Sequence, residues 1–530
     1  MKYKDMTPVC GVRVHAGNSS RHRFRQGFAV TLALAILAVV AAVPPYLTDL
    51  AANMNSDQLT LPDLYESLVR RNEAWSSWCL GGAPFFFPDI ALFFPVAAVV
   101  GDTYLAHLLQ TGLYVLTLMA GFWARGRARA GRYADWATSW ALVLFLLITH
   151  PRVWPQAADL WKVIYHPFAH GGAALLAVAG MLLVFSHLKR GRRWALFFLA
   201  VVCVGGGASD LLFCLYFSIP SLLSLTVLAV LHRFRRQRVS ALFLTILLAT
   251  LLGRMLIPWI RPGQQAEHLY LSRTGIGTAC NTVLFMVRDL VFQHHWMFLF
   301  SAVVSLTVAT WLGIRLVRML LRKTPFSWRV CYLDQCVVWS LAGGWAALLA
   351  TGNYVDTGSW RYLVFPSALA IVMAVWAAAL RMPRWMGGLG VAVFLMICLG
   401  HGFSKPNLQR PYPELARFLD AYGQDKPPLV LGDYWTARQT TFLSRNGVRV
   451  EQICANGRIY HWANSLDTYR RIREEPGRHG IIIMDRLDPA QIRAAFGDPT
   501  EERYVGKNLV YFYLPPRSVQ LVRFLQGGLP

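Results

Sequence analysis

Charge is scarce in this chain. Of its 530 residues only 15% are charged, while 55% are hydrophobic, and the mean hydropathy is +0.38. A soluble protein is about a quarter charged, so a soluble fold is excluded for most of the length. Cysteine pairing is lacking as well. Nine cysteines are scattered without a CxxC pair, several of them inside apolar runs, a spacing that supports neither a zinc site nor a disulfide framework. There is no GxGxxG or Walker loop and no HExxH, so neither nucleotide binding nor a zinc-protease site has support. No convincing internal repeat is found. Acidic residues are the scarcer sign, 28 Asp+Glu against 52 Lys+Arg.

What is present is a series of apolar runs, each near the length that crosses ~30 Å of hydrocarbon. They predict about eleven transmembrane helices, at 27–47, 103–124, 136–150, 169–187, 194–211, 213–231, 239–257, 296–314, 331–350, 361–380 and 386–401. The first follows a basic stretch (Arg21, Arg23, Arg25). Pro44 and Pro45 come directly after its small residues, which disfavours cleavage and predicts an uncleaved anchor. The links alternate in charge. Those at 1–26, 125–135, 188–193, 232–238, 315–330 and 381–385 hold 25 Lys/Arg, and those at 48–102, 151–168, 258–295 and 351–361 hold 8. The positive-inside rule then places the N-terminus in the cytoplasm and, with an odd number of spans, the C-terminus outside. The high net charge is thus a topology signal and a surface for anionic lipid, and a nucleic-acid partner is not expected.

Carboxylates follow the opposite rule. Of fifteen Asp/Glu in 1–401, twelve fall on the predicted outer side. Several gather in "NSDQLTLPDLYESLVRRNEAW" (55–75), directly after the first span. Thr60 reads as a helix N-cap, with Pro62 in the first turn. Leu61, Leu64, Leu68 and Val69 recur at helical spacing opposite Asp63, Glu66, Arg70 and Glu73, which predicts an amphipathic helix in the interface. "SWCLGGAPFFFPDIALFFP" is broken by Pro84, Pro88 and Pro95 and predicts a second interfacial or re-entrant segment. Asp57 lies between the membrane exit and this structure. An ionisable group so placed is a functional candidate, and the plain alternative is a charge that favours the helix dipole.

From 402 the composition turns polar. "PPLVLGDYW", "VRVEQI" and "GIIIMDR" read as short buried strands, "TARQTTFLSRNG", "SLDTYRRIREEPG" and "DPAQIRAAFG" as helices between them, and "RYVGKNLVYFYLP" as a hairpin. This predicts a small α/β domain at 402–530 with a largely parallel sheet, outside the membrane, after a multi-span domain at 1–401.

In this layout the chain resembles the GT-C superfamily of membrane glycosyltransferases. The likeness rests on a cytoplasmic N-terminus, a long first outer loop with an acidic residue after span one, interfacial helices, many spans and an outer C-terminal domain. Its sharpest local match is "NSDQLTLPDLYESL" with "FFFPDIALFFP". Members often carry an acidic pair or DxD here, where this chain offers a single Asp57.

The resemblance implies transfer of a sugar from a polyprenyl-phosphate carrier to an envelope glycan, lipid or protein acceptor on the outer side of a membrane, the bacterial inner membrane being the expected one. The chemistry needs a carboxylate to take the acceptor's proton, and cations or hydrogen-bond donors for the departing phosphate. Asp57 is the candidate base and Asp159, in "THPRVWPQAADLWKVIYHPFAHGG", the candidate second carboxylate. His166 and His170 are four apart and on a helix would share a face. That spacing can bind a metal, but no HExxH-type glutamate accompanies it, so interfacial or phosphate-contacting histidines are the preferred reading. Asp210 in "GGGASDLLF", Arg288 in "VRDLVFQHHW", and Asp356 and Arg361 in "NYVDTGSWRYLVFP" complete the candidates, with Arg361 first for the phosphate. No metal ligand set is expected, although a divalent cation stays open. The alternatives are a transporter or flippase of a lipid-linked glycan, and a non-catalytic membrane assembly protein. Against the former, the acidic residues lie at span ends rather than mid-span.

Overall fold

The computed structural model describes residues 54, 56–80, 83–130, 135–150, 163–231, 236–260, 281, 284–285, 288, 296–322, 328–351, 360–379, 396, 410–422, 428–471, 479–515 and 517–527. Two short helices lead: α1 (Ser56–Tyr65), prolonged by a wider turn at Glu66–Arg70, and α2 (Ala91–Val100). Nine long helices follow: α3 (Thr103–Ala130), α4 (Asp135–Thr149), α5 (Gly171–Arg190), α6 (Arg193–Ser209), α7 (Leu211–Val230), α8 (Arg236–Ile260), α9 (Trp296–Arg322), α10 (Trp328–Thr351) and α11 (Arg361–Ala379). Each coincides with a predicted span. Among the described residues, six of them are long and apolar enough to cross a membrane. The chain is an integral membrane protein. The predicted spans at 27–47 and, apart from residue 396, at 386–401 lie outside the described residues.

The helices share one apolar core that includes Phe122, Phe145, Phe217, Tyr332 and Phe365. Within it α6 and α8 touch backbone to backbone. A Cβ on Gly253 would come within 2.3 Å of the Val204 carbonyl oxygen, and one on Gly207 within 2.7 Å of the Thr250 carbonyl oxygen. Small residues allow that approach where lipid supplies no hydrophobic drive between helices.

After α11 the described chain resumes with α12 (Glu414–Tyr422), β2 (Leu429–Gly432), α13 (Tyr434–Leu443), β3 (Val450–Gln452), β4 (Asn464–Ser465), α14 (Asp467–Arg471), β5 (Gly480–Ile483), α15 (Pro489–Phe496), β6 (Glu501–Val505), β7 (Asn508–Tyr513) and α16 (Arg517–Gly527). Five of these strands form a sheet in the order β3-β2-β5-β7-β6. β2 is parallel to both β3 and β5, whereas β7 is antiparallel to β5 and β6. The sheet is therefore mixed rather than largely parallel, because the hairpin expected at 503–515 joins it as two of its strands. The apolar runs "LVL" and "III" are explained by burial on both faces. Leu431 and Ile482 enter one apolar layer, and Val430, Ile481 and Ile483 enter the other.

The first loop is part of this architecture. β1 (Trp78–Cys79) pairs antiparallel with β4 across almost 400 positions of sequence. α1 begins at Ser56, four residues before the expected N-cap. Thr60 lies inside the helix, with its Oγ1 donating to the Ser56 carbonyl oxygen at 3.1 Å. Nor does α1 lie amphipathically in the interface. Gln58, Leu59, Thr60, Leu61, Pro62, Leu64 and Tyr65 are all buried, and α13 packs against it. Of the face read as wet, Asp63 and Glu73 are covered by the C-terminal region, while Glu66 and Arg70 stay partly exposed. The second segment is close to expectation: an apolar stretch over Phe86–Val100, too short to span, irregular around Pro88 and continuing through Pro95.

Candidate functional site

Asp57 sits in the first turn of α1, where the helix dipole favours a carboxylate. The start of α1 meets the start of α13. The Tyr434 hydroxyl donates to Asp57 Oδ1 at 2.6 Å, Ser56 Oγ donates to the Trp435 carbonyl oxygen at 2.7 Å, and Gln439 Nε2 donates to the Met54 carbonyl oxygen at 2.9 Å. Asp57 is half-buried and lines a cavity of about 500 Å³. The rest of the lining comes from the C-terminal region and includes Asp433, Tyr434, Trp435, Tyr460, Trp462 and Arg486.

The strand order explains this location. Asp433, Ile453 and Arg486 each follow the carboxyl end of one of the three parallel strands. From β2 the chain leaves toward β3 on one side, and from β5 it leaves toward the hairpin on the other. The crevice between such diverging connections is where open α/β sheets bind ligands. Asp433 caps α13 by accepting from Trp435 N at 2.9 Å through Oδ1. The Arg486 guanidinium lies over the Trp435 ring, 5.7 Å from its centroid, and Tyr434 meets Trp435 edge to face at 5.0 Å.

Six positions after Asp57 the surroundings change. Asp63 is paired with Arg438, whose side chain is fully buried, and with Arg71 at 3.1 Å. Glu73 is paired with Arg71 at 2.9 Å and Arg449 at 2.7 Å, and accepts from Ser465 Oγ at 2.6 Å. Arg449 also holds Glu451 at 2.5 Å. Three arginines and three carboxylates thus join the first loop to the C-terminal region. Burial by itself raises the Asp63 carboxyl, but Arg438, Arg71 and Arg449 outweigh it and hold it below the ordinary range. Glu73 is lowered in the same way, against burial, by Arg449, Ser465 and Arg71. For Glu451 burial wins over Arg449, and its carboxyl is raised. Asp63 and Glu73 are accordingly structural ties and not the solvated helix face that their spacing suggests.

A second polar cluster lies at the membrane helices. His166 and His170 do not share a helical face. They belong to a turn before α5 in which Phe168 and His170 take left-handed backbone, with φ of 59° and 74°. Their side chains part company. His166 is fully buried and stacks on His107, with Nδ1 3.3 Å from His107 Nε2. His170 Nδ1 lies 2.6 Å from Asp210 Oδ2, and Asp210 Oδ1 caps the start of α7 through Leu212 N at 2.9 Å. Asp210 therefore has a fixed partner and a capping role. The turn itself hangs on buried Asp89, whose Oδ1 accepts from Phe168 N at 2.8 Å and from the Tyr114 hydroxyl at 3.2 Å. A Cβ on Gly172 would come within 2.2 Å of the other Asp89 oxygen, so glycine is needed there.

Arg254, on α8, went unremarked in the sequence because it falls inside an apolar run. A charge within a span was the signal. It is half-buried, and its guanidinium donates to the Gly207 carbonyl oxygen at 3.4 Å, one turn before Asp210. Arg288 lies with its guanidinium 4.9 Å from the centre of the Phe285 ring. Asp159 and Asp356 lie outside the described residues, as does the Arg361 side chain, although Arg361 opens α11. Sequence reading also missed Asp433, Tyr434, Trp435 and Arg486. Their signal was available: polar and aromatic residues directly after short buried strands. Among the described residues no group of three His, Cys, Asp or Glu is placed to hold a metal ion.

No family model matches the chain, and no curated protein matches it. Among solved structures it is similar to "Crystal Structure of ArnT from Cupriavidus metallidurans in the apo state". That likeness has 12% identity and a TM-score of 0.43, and covers 94% of this chain and 99% of that one. A likeness of this degree carries no fold, reaction or ligand to this chain.

Proposed function

We propose that this protein is a membrane glycosyltransferase of GT-C type that moves a sugar from a polyprenyl-phosphate carrier to an acceptor hydroxyl, with Asp57 as the base. One observation carries the reading: Asp57, in the first turn of α1, lines a cavity whose other described lining residues follow the carboxyl ends of the C-terminal strands or neighbour them. A carboxylate there meets a lipid-borne donor from one side and an acceptor from the other. Asp57 takes the proton of the acceptor hydroxyl, the freed oxygen bonds to the sugar's anomeric carbon, and the bond from that carbon to the carrier phosphate breaks. The carrier phosphate leaves with the bonding electrons. General-base help of this kind is worth ~10²–10⁴-fold.

The leaving phosphate needs a cation. Arg254 is the first choice, since it lies in the span region, and Arg361 and Arg288 remain candidates. His170 with Asp210 supplies a polar site near Arg254. Asp159 remains the alternative base, and Asp356 a further candidate beside Arg361. On this reading the protein lies in a bacterial inner membrane, with the N-terminus cytoplasmic and 402–530 outside. The transferase reading is preferred to the flippase because the candidate base lines a cavity built mainly by the C-terminal region.

The test is direct. Purified protein in lipid, given a polyprenyl-phosphate sugar and an envelope extract, should release polyprenyl phosphate, and Asp57→Asn should not. Release unchanged in Asp57→Asn would remove the base assignment. A vectorial movement of the intact lipid with no release would favour the flippase.

A further inference from the structure

The cavity beside Asp57 has an unfilled polar requirement. Asp433 is only 6% exposed. Its Oδ1 caps α13, while Oδ2 finds no hydrogen-bond partner among the described residues. A buried carboxylate oxygen without a donor is costly, by roughly 1–3 kcal/mol or more for a charged group. It is retained where a ligand supplies the donor. Around it stand aromatic rings at steep angles. Tyr434 is edge to face with Trp435 at 5.0 Å and with Tyr460 at 5.7 Å, and Trp462 closes the lining. Trp435 is 37% exposed and lines the cavity, with the Arg486 guanidinium 5.7 Å from its ring centre.

We infer that this cavity binds the acceptor, and that the acceptor is a carbohydrate. A pyranose has an apolar C–H face and an edge of hydroxyl donors. The first matches the exposed indole of Trp435, and the second matches Asp433 Oδ2 and Asp57, which accept only. A lipid acceptor would require an apolar lining without buried carboxylates. A peptide acceptor would require backbone partners along a groove or sheet edge, and this cavity sits at strand ends. The Asp433 side chain binds one hydroxyl and leaves the neighbouring one at Asp57. The assignment rests on the glycosyltransferase reading for its name as acceptor, but the binding itself is measurable without turnover.

The experiment uses the full chain in nanodiscs and a panel of methyl pyranosides and short oligosaccharides, with binding followed by calorimetry. At least one member should bind to the chain without donor, and still bind to Asp57→Asn saturated with polyprenyl-phosphate sugar, where no turnover occurs. Asp433→Asn and Trp435→Ala should each weaken that binding by about tenfold or more, and Trp435→Phe should retain most of it. Asp57→Asn should keep measurable binding while transfer is lost. If no member of the panel binds, or if Asp433→Asn and Trp435→Ala bind as the unaltered chain does, the carbohydrate site is overturned. If the lipid-linked donor displaces the glycoside, the site belongs to the donor sugar and the acceptor assignment fails. Full transfer by Asp57→Asn with intact glycoside binding would instead sink the base assignment and leave the binding site standing.

Discussion

Asp57 and Asp63 lie on one ten-residue helix, and their surroundings are opposite. Asp63 is gripped by Arg438 and Arg71 at a dry junction. Among the described residues Asp57 accepts from one tyrosine hydroxyl, at the edge of an open cavity. Nearness in sequence therefore says little about role. A carboxylate whose accepting capacity is filled by buried arginines is committed to holding two regions together, because removing either partner strands a charge. One with capacity to spare, beside a cavity, is available for chemistry. The comparison also explains why the two belong together. The arginine network fixes α1 against α13, and that same contact brings Asp57 to Tyr434 and Trp435.

The largest expected effect separates the two carboxylates by what they spoil. Asp57→Asn keeps the side-chain shape and can still accept from Tyr434, but loses the proton affinity of a base. Transfer should fall ~10²–10⁴-fold, with thermal unfolding and expression unchanged. Asp63→Asn should act the other way. It leaves Arg438 buried beside a neutral amide, a loss of ~3–5 kcal/mol by analogy with broken buried pairs, read as earlier unfolding in detergent. Earlier unfolding in Asp57→Asn, or unchanged unfolding in Asp63→Asn, would erase the distinction.

Acid should sharpen it. Asp63 and Glu73 are held below their ordinary values of 3.8 and 4.5. The stability they add is complete above those values and is lost as pH falls through the lowered folded values. Glu451 opposes this. Its carboxyl is raised above 4.5, so its contribution is favourable at low pH and fades as pH climbs through that raised value. The junction should thus loosen only in strong acid, below pH 4.5. Limited proteolysis between the membrane helices and the C-terminal sheet should accelerate there, and Glu451→Gln should remove the opposing gain in stability on acidification toward pH 4.5 while leaving the loss below it. Accelerated cleavage already at pH 6 would contradict the pairing described.

Much of the fold was legible, for reasons that also mark where legibility ended. Apolar runs announce helices whatever packs on them, so α3 to α11 were placed within a few residues. The runs at Leu429–Leu431 and Ile481–Ile483 announced strands, since both faces are buried. Asp57 stood out by its position after the predicted first span, and the structure sets it at the edge of a cavity. The network was not legible, because Arg438 and Arg449 lie some 375 residues from their partners and no local pattern marks such a pair. His166 and His170 misled because a helical spacing was assumed where two left-handed residues reverse the chain. Asp433 and Arg486 were hidden for a related reason. Each looks like an ordinary loop residue until the strand order brings both to one crevice.

A smaller effect concerns Arg254. Among the described residues it donates one long hydrogen bond, to the Gly207 carbonyl oxygen. Arg254→Lys keeps the charge but loses the forked geometry that suits phosphate. The KM for the lipid-linked donor should rise several-fold, on the order of the ~1 kcal/mol that separates strong from weak charge-assisted bonds, with kcat and glycoside binding held. An unchanged donor KM would pass the phosphate role to Arg361.

The smallest expected effect belongs to the third acidic residue of the same stretch, and it is the strictest test of the contrast. Glu66 lies just past α1, paired with Arg70 at 3.0 Å and accepting from Thr103 Oγ1 at 3.1 Å. Its side chain is 25% exposed and that of Arg70 is 46% exposed. Water screens such a pair, and exposed pairs of this kind contribute ~0–1 kcal/mol. Neither Tyr434 nor the cavity contacts it. Glu66→Gln retains an oxygen that accepts from Thr103, so even that tie survives. Unfolding should shift by less than about 1 kcal/mol, and both donor release and glycoside affinity should stay at their original values. If Glu66→Gln instead lowered transfer as far as Asp57→Asn does, without earlier unfolding, the whole acidic cluster would be acting on the reaction together. Burial, pairing and access would then no longer be what divides the carboxylates of this loop.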